Sequence, residues 1–226
     1  MLHKFAFVAA FALLVTPAFA EGDGPGPNLE IQVAGVANGT IVIDLSPDIA
    51  PKHVAQIVAL AKSGAYDNVI FHRVIDGFMA QTGDVQYGKK GGDTSQAGMG
   101  GSTMPNIPAE FSAVPFVRGI VGMARAQDPN SANSQFFIMF APGDFLNGQY
   151  TVVGKVISGM DVVDQIKRGA GQNGEVSDPD VMVKVTVKEG PLRLPRPVLV
   201  PPVTGRHQGS RKLRICVGRG QDSGGY

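Results

Sequence analysis

The sequence predicts a mainly β protein in which short antiparallel strands close into a barrel and two helices pack against it. Three observations support this fold class. The apolar segments are short and rich in Val, Ile and Phe, an alternating pattern surrounds an Asn-Gly pair, and two segments have helical periodicity. Closure into a barrel removes the unpaired strand edges that an open sheet would expose.

The elements follow one another clearly along the chain. Apolar and polar residues alternate over 29–33 and 41–45, so Asn38-Gly39 between them predicts a hairpin with a tight turn. A helix is predicted to begin at Pro51 and to end before Gly64, because apolar residues recur at helical spacing between them. A second helix is predicted from an S-x-x-D start at Ser158 to near Gly169. Further strands are predicted over Val69 to Met79, Ile120 to Ala124, Phe136 to Phe140, Thr151 to Ile157 and Val181 to Val187.

A glycine-rich segment lies between the predicted strands, over 88–102. It contains few apolar residues, so it is interpreted as a long irregular loop, which in a compact domain is often functional. Phosphate binding is the alternative, but the segment lacks the glycine spacing and the strand-to-helix context of known phosphate loops.

The first twenty residues have the pattern of a secretory signal peptide. Lys4 supplies a basic start, an apolar run extends over 5–15, and Ala18-Phe19-Ala20 forms an A-x-A cleavage site. We therefore expect cleavage after Ala20, a flexible leader over 21–28, and a periplasmic or secreted protein. An uncleaved anchor is the alternative, although the run is short for a membrane span, and after cleavage no span is expected.

The last stretch of the chain differs in composition from the rest. The net charge is +1, but basic residues predominate after Gly190, whereas acidic residues outnumber basic ones over 21–190. Prolines and arginines without apolar periodicity predict a disordered basic tail over 190–226. Such a tail could attach the protein to an acidic partner or an anionic membrane. The globular part lacks the basic footprint of a nucleic-acid-binding protein, so no nucleic acid is expected.

Hydrolytic, redox and metal chemistry lack the residues that they need. Cys216 is the only cysteine, so no intramolecular disulfide can form. His3 lies in the signal, His53 is predicted on the polar face of the first helix, and His207 lies in the tail. His72 then has no histidine partner at zinc-site spacing and is interpreted as a packed, hydrogen-bonded core residue. We expect no metal and no cofactor.

Two stretches combine polar and large apolar side chains as a binding face does: FHRVIDGFMAQTGD over 71–84 and SQFFI over 134–138. Arg73 and Gln81 would be costly to bury beside Phe78 and Met79 unless some of these side chains point into an open groove. The plain alternative is a surface arginine and a Phe137 ring that belongs to the core.

These stretches, together with Met-Ala-Arg over 123–125 and the pattern F-L-x-G-x-Y-x-V-x-G-K-V from Phe145, resemble the cyclophilins. The resemblance covers roughly Leu29 to Val187, with the motifs in the family's order. It implies an eight-stranded antiparallel closed β-barrel capped by two α-helices, in a domain over 29–189. It also implies a monomeric peptidyl-prolyl cis-trans isomerase that acts on proline-containing polypeptides and assists the folding of exported proteins.

The resemblance also implies roles for individual residues. Arg73 matches the catalytic arginine, and Gln81 matches the glutamine that supports it. Gln135 and the backbone around Ala124 and Arg125 are expected to hold the carbonyl groups of the substrate. The remaining positions form the proline pocket and its rim: Phe78, Met79, Phe137, Phe145, Leu146 and Tyr150.

Three of these positions depart from the residues that are frequent in the family. Phe145 stands where tryptophan is common, Tyr150 where histidine is common, and Arg125 where eukaryotic members have asparagine. The pocket stays apolar and its rim polar, so isomerase activity is expected, but the lost indole N–H donor argues against tight cyclosporin binding. A binding module or chaperone without catalysis is the competing interpretation, and the intact Arg73, Gln81 and Phe137 argue against it.

Overall fold

The computed structural model describes Gly24 and residues 26–190. The predicted signal, half of the predicted leader (residues 21–23 and 25) and the predicted tail from Pro191 onward lie outside the described residues. One antiparallel sheet of nine strands curls into an open half-barrel and is accompanied by two α-helices. The strands are β1 (Asn28–Ala34), β2 (Gly39–Leu45), β3 (Val69–Ile70), β4 (Arg73–Ile75), β5 (Met79–Thr82), β6 (Ile120–Met123), β7 (Phe136–Met139), β8 (Val152–Ser158) and β9 (Val181–Lys188). The helices are α1 (Pro51–Lys62) and α2 (Met160–Gln165), and a 3-10 turn covers Asp144–Leu146.

The expected closed barrel of eight strands is wrong in both strand number and closure. The strand order is β3-β9-β1-β2-β8-β6-β7-β5-β4, so β3 and β4 are the two edges of the sheet. They are consecutive in the chain and are joined by Phe71 and His72. There the Phe71 N–H donates to the Asp180 carbonyl, and the His72 carbonyl accepts from Val176 N–H. Residues 176 and 180, which belong to no strand, thus form the backbone bonds of Phe71 and His72. The long strand predicted from Val69 is therefore interrupted, and the edge strands β3 and β4 do not pair with each other.

The predicted hairpin is confirmed, but its turn is longer than expected. In β1 and β2 the alternating apolar residues face the core, with Leu29 opposite Ile43 and Ile31 opposite Ile41. Residues 35–38 connect the strands, and Gly39 is already the first residue of β2. The buried carboxylate of Asp180 accepts the Ala37 N–H at 2.9 Å. This bond, formed across 143 positions of sequence, holds the loop in a shape that the Asn-Gly pair alone does not specify.

Helix α1 forms where the periodicity predicts it, with Pro51 in its first turn. The N-cap residue Ala50 offers no side-chain cap, and the Glu110 carboxylate instead accepts the N–H groups of Lys52 and His53. The expected position of His53 on a polar face is wrong. Its side chain is fully buried, and Nδ1 lies 2.7 Å from Glu110 Oε2, because Glu110 supplies a partly buried polar partner from a distant loop.

Helix α2 is shorter than predicted and begins differently. Ser158 is the last residue of β8, and Gly159 is the N-cap residue with a φ of 83°, so the S-x-x-D start does not form. The helix ends at Gln165 rather than near Gly169. Lys167 N–H donates to Asp180 Oδ2 at 2.7 Å, and Gly169 N–H donates to the Val74 carbonyl at 2.9 Å. These tertiary bonds replace the helical ones.

Buried apolar side chains form two clusters. The larger cluster fills the space between the curled sheet and the helices, and includes Ile31, Ile57 and Phe136. The smaller one consists of Met79, Phe116, Ile120, Phe137, Met139, Leu146 and Val152. It lies under the part of the sheet that carries the predicted site. Within the described part of the chain, no helix is long and apolar enough to cross a membrane.

Candidate active site

Four neighbouring strands place the key residues of the candidate site in one row. Arg73 on β4 pairs with Gln81 on β5, Gln81 pairs with Phe137 on β7, and Phe137 pairs with Gly122 on β6. Residues directly opposite each other in an antiparallel sheet project to the same face. The sheet register therefore brings the arginine, the glutamine and the phenyl ring onto one surface, although they are far apart in sequence.

Two hydrogen bonds hold the guanidinium group of Arg73. Its Nε–H donates to the Asn173 carbonyl at 2.9 Å, and Nη1 donates to Gln81 Oε1 at 3.1 Å. A guanidinium has five N–H donors, so these bonds within the described residues leave three for another molecule. Partial burial lowers the pKa of Arg73, while the nearby Tyr150 phenol opposes that shift. The group stays a cation at neutral pH.

A cavity of about 220 Å³ opens beside this guanidinium. Apolar side chains form its interior, since Met79 is 1% exposed and Phe137 and Leu146 are each 5% exposed. Phe145 stands at the mouth and is 66% exposed. Ten of the eleven residues predicted for the site line this cavity: Arg73, Phe78, Met79, Gln81, Ala124, Arg125, Phe137, Phe145, Leu146 and Tyr150.

Ring contacts fix the walls of the cavity. Phe137 stacks on Phe116 with centroids 5.8 Å apart and meets Tyr150 edge-on at 6.0 Å. Phe78 packs against Phe145 at 5.4 Å. Gly122 is needed below these rings, because a Cβ there would lie 2.5 Å from Phe137 Cζ. Neither Phe116 nor Gly122 was among the predicted site residues. The pairing of β6 with β7 places Gly122 opposite Phe137, and Phe116 reaches the site through its ring contact with Phe137.

Arg125 and Tyr150 form the polar rim. The guanidinium carbon of Arg125 lies 4.4 Å from the centre of the Tyr150 ring, an arrangement typical of a cation–π contact. Arg125 also donates to the carbonyls of Ala126, Gln127 and Gln149. The backbone around Ala124 and Arg125 was expected to hold the carbonyl groups of the substrate. Within it, the Ala124 N–H donates to the Gln135 carbonyl at 2.9 Å.

Gln135, the remaining predicted residue, lines a second cavity of about 320 Å³. The two cavities share Gln81, Ala124 and Arg125, so they are adjacent. Gly98, Met99 and Gly100 from the glycine-rich loop form part of the second cavity. These three residues were not among the predicted site residues, because the loop has no periodicity from which its position could be inferred.

His72 lies beside the site and is buried, as predicted. Its ring nitrogens make no hydrogen bond of good geometry among the described residues, although the Gln135 side chain and the Ile70 backbone lie close enough to favour the protonated ring. Burial lowers the pKa of His72 to about 4, against the opposing effect of the Asp84 carboxylate. The imidazole is therefore neutral near pH 7. No cluster of three or more potential metal-ligating His, Cys, Asp or Glu side chains occurs among the residues that the structure describes.

Comparisons with known proteins agree with this geometry. The family model described as cyclophilin type peptidyl-prolyl cis-trans isomerase matches residues 28–187. The chain belongs to the cyclophilin family. A probable peptidyl-prolyl cis-trans isomerase of Brucella suis is 56% identical to this cyclophilin over 183 residues, which cover 80% of the chain and 93% of the relative. Peptidyl-prolyl cis-trans isomerase B of Escherichia coli is 39% identical over 165 residues, covering 67% of the chain and 96% of the relative.

Solved structures show the same relationship. A cyclophilin-type isomerase of Cryptosporidium parvum, crystallised in the presence of the dipeptide Ala-Pro, superposes with a TM-score of 0.61 at 28% identity. The match covers 71% of this chain and 98% of that one. The cyclophilin described here is a peptidyl-prolyl cis-trans isomerase.

Proposed function

We propose that Arg73 is the catalytic residue of this isomerase and that the 220 Å³ cavity holds the proline ring of a polypeptide substrate. The observation that carries the proposal is the position of a guanidinium, with three donors left by its protein bonds, at the edge of an apolar cavity. The Ala-Pro dipeptide used with the Cryptosporidium parvum protein supports proline-containing segments as ligands.

The proposed chemistry follows from the electronic structure of the amide. Rotation about an X-Pro bond meets a barrier of about 18–20 kcal/mol, because the nitrogen lone pair is delocalised into the carbonyl. In the twisted transition state the lone pair returns to nitrogen, which can then accept a hydrogen bond. A donor from Arg73 at that nitrogen binds the transition state more tightly than the planar amide, and only such differential binding accelerates the reaction.

One hydrogen bond does not account for the whole rate enhancement. A charged hydrogen bond contributes about 1.5–3 kcal/mol net, whereas a millionfold acceleration requires about 8 kcal/mol. The buried Met79, Phe137 and Leu146 provide a rigid apolar seat for the proline ring. Holding the ring still while the preceding carbonyl rotates, and excluding water from the amide, supply the larger share. No proton transfer and no covalent intermediate are needed.

The test is a protease-coupled isomerisation assay on a proline peptide. We expect Arg73→Ala to lower kcat/KM by about 10- to 150-fold, the equivalent of one transition-state contact. Arg118→Ala is the matched control, because Arg118 is also a bonded arginine, paired with Asp164 at 2.7 Å, but does not line the cavity. Unchanged turnover in folded Arg73→Ala would contradict the proposal.

We also propose that the protein acts in the periplasm or outside the cell on exported proteins. The support is the basic start, apolar run and A-x-A site over 1–20 in the sequence. Fractionation of the native host, with mass spectrometry of the mature N-terminus, tests this location. A cytoplasmic protein that keeps its first twenty residues would contradict it without affecting the proposed chemistry.

A further inference from the structure

The buried carboxylate of Asp84 lies outside the candidate site and connects two loop segments, 86–87 and 98–100. Asp84 follows β5 and is fully buried. Its Oδ1 accepts the N–H groups of Gln86 at 3.0 Å and Tyr87 at 2.8 Å. Its Oδ2 accepts the N–H groups of Gly98 at 2.7 Å and Gly100 at 2.9 Å. A carboxylate has about four acceptor positions, so the four bonds use its full capacity.

The loop packs so closely against Asp84 and His72 that two of its positions require glycine. A Cβ on Gly100 would lie 2.5 Å from Asp84 Oδ1. Gly98 has a φ of +99°, and a Cβ there would lie 3.1 Å from the buried His72 ring. The segment 98–100 is thus held by its N–H groups against the carboxylate, and its position is set by that contact.

The carbonyl groups of the same segment hold Gln135. Gln135 Nε2 donates to the carbonyls of Gly98 at 3.0 Å and Gly100 at 2.7 Å. Because the amide nitrogen faces two carbonyls, Gln135 Oε1 must face the other way, where it accepts from Gln81 Nε2 at 2.9 Å. Gln81 Oε1 in turn accepts from Arg73 Nη1 at 3.1 Å. An anion lies at one end of this chain of bonds and a guanidinium at the other.

The direction of every bond in the chain is therefore consistent. If either amide reversed, it would place oxygen against oxygen or N–H against N–H, so the loop determines which atom Gln81 presents to Arg73. Connected hydrogen bonds in a low dielectric also polarise and so strengthen one another. We propose that Asp84 is a positioning residue for Arg73, acting through the segment 98–100, Gln135 and Gln81. This inference rests on the proposed catalytic role of Arg73.

A double-mutant cycle between Asp84→Asn and Arg73→Ala tests the inference. Asparagine keeps the size of the side chain but turns an N–H group toward backbone donors, which should displace one loop segment. We expect Asp84→Asn to lower kcat about tenfold with a smaller change in KM, because misplacing a catalytic group by about 1 Å can cost up to about 100-fold. In the Arg73→Ala background the same change should lower kcat/KM less than twofold, since groups that act together are not additive.

Asp180→Asn is the matched control. Asp180 is also a buried carboxylate that accepts backbone N–H groups, those of Ala37 and Lys167, but it does not bond to the glycine-rich loop or to Gln81 and Gln135. Its substitution should lower the melting temperature and change kcat/KM less than twofold. An equal loss for Asp84→Asn in both backgrounds would overturn the inference while leaving the role of Arg73 intact, as would full activity in folded Asp84→Asn.

If Asp84→Asn does not fold, Gln135→Glu tests the link from segment 98–100 to Arg73, without which Asp84 cannot act on Arg73. It places an oxygen against the carbonyls of Gly98 and Gly100 but retains Asp84 and its four bonds. The inference requires a loss of activity with Arg73 present and less than a twofold loss without it. Equal losses in the two backgrounds would overturn it.

Discussion

A single methyl group added below the proposed proline pocket should disturb the site without touching a polar group. Gly122 lies opposite Phe137 in the pairing of β6 with β7. In Gly122→Ala the new Cβ would lie 2.5 Å from Phe137 Cζ and 2.6 Å from Phe116 Cε1. Carbon atoms in favourable contact are about 3.5–4.0 Å apart. The distance between the new methyl group and each of the two rings must therefore increase by about 1 Å.

The added methyl group should affect both the stability of the protein and its catalysis. Overpacking of a core costs about 1–3 kcal/mol, and in a domain of this size each kcal/mol lowers the melting temperature by about 2–4 °C. Phe137 is also a wall of the proposed proline pocket. Because a displacement of about 1 Å in a reacting site can cost about 100-fold, we expect kcat/KM to fall more than the modest loss of stability would suggest.

The assay is protease-coupled isomerisation, with thermal unfolding measured on the same samples. Gly92→Ala is the control, since the nearest atom to a Cβ there is the Lys89 carbonyl oxygen at an ordinary 3.4 Å. Replacing the Phe116 ring by a smaller side chain, in the double variant Gly122→Ala with Phe116→Leu, should restore part of the activity. Wild-type kcat/KM in folded Gly122→Ala would refute the claim that the seat of the Phe137 ring controls catalysis.

Two further predictions concern charge. The described residues that line the two cavities include the cations Arg73 and Arg125 and no carboxylate, so a peptide with Glu before proline should react about 2- to 5-fold faster than one with Lys, as expected for charges near the surface. Arg125→Gln should reduce this preference, and equal kcat/KM for both peptides at low salt would contradict it. The second prediction is pH-dependent stability: the folded pKa of His72 is about 4, and an unfolded histidine titrates near 6.5, so the unfolded state takes up a proton first as pH falls. The free energy of unfolding should therefore fall by up to about 3 kcal/mol between pH 6.5 and 4. Urea unfolding of His72→Gln should show a smaller fall over the same pH range than the wild type. An equal fall in the two proteins would count against this reasoning.

Local sequence patterns predicted several elements of the fold, including β6 and β7 of the site, but they merged β3 and β4 and missed β5. The alternation over 29–45 and the helical spacing after Pro51 depend on neighbouring residues, and β1, β2 and α1 form where those patterns place them. The residues that share one cavity were predicted from the family resemblance, which the motifs over 71–84, 123–125, 134–138 and 145–156 carry. Sheet register then determines their juxtaposition, and ten of the eleven lie around the same opening.

Bonds between distant residues account for what the sequence did not predict. Asp180 holds the loop of the first hairpin, Glu110 caps α1 and buries His53, and Asp84 holds the glycine-rich loop. Each is an acidic side chain that accepts backbone N–H groups from a segment at least 14 positions away. Composition and periodicity describe a residue's neighbours, so they carry no information about such partners. Bonds to distant residues also explain the break at Phe71 and His72, which leaves the sheet open, although these are bonds between backbone groups.

The residual activity of Arg73→Ala tests the division of catalysis between the arginine and the pocket most directly. The measurement is kcat/KM of this variant beside that of the wild type, with the uncatalysed isomerisation rate of the same peptide measured in the same buffer. If one charged hydrogen bond supplies about 1.5–3 kcal/mol of the total, the variant should keep most of the rate enhancement in energetic terms and remain well above the uncatalysed rate. A variant whose rate falls to the uncatalysed level would contradict the account, as would one indistinguishable from the wild type.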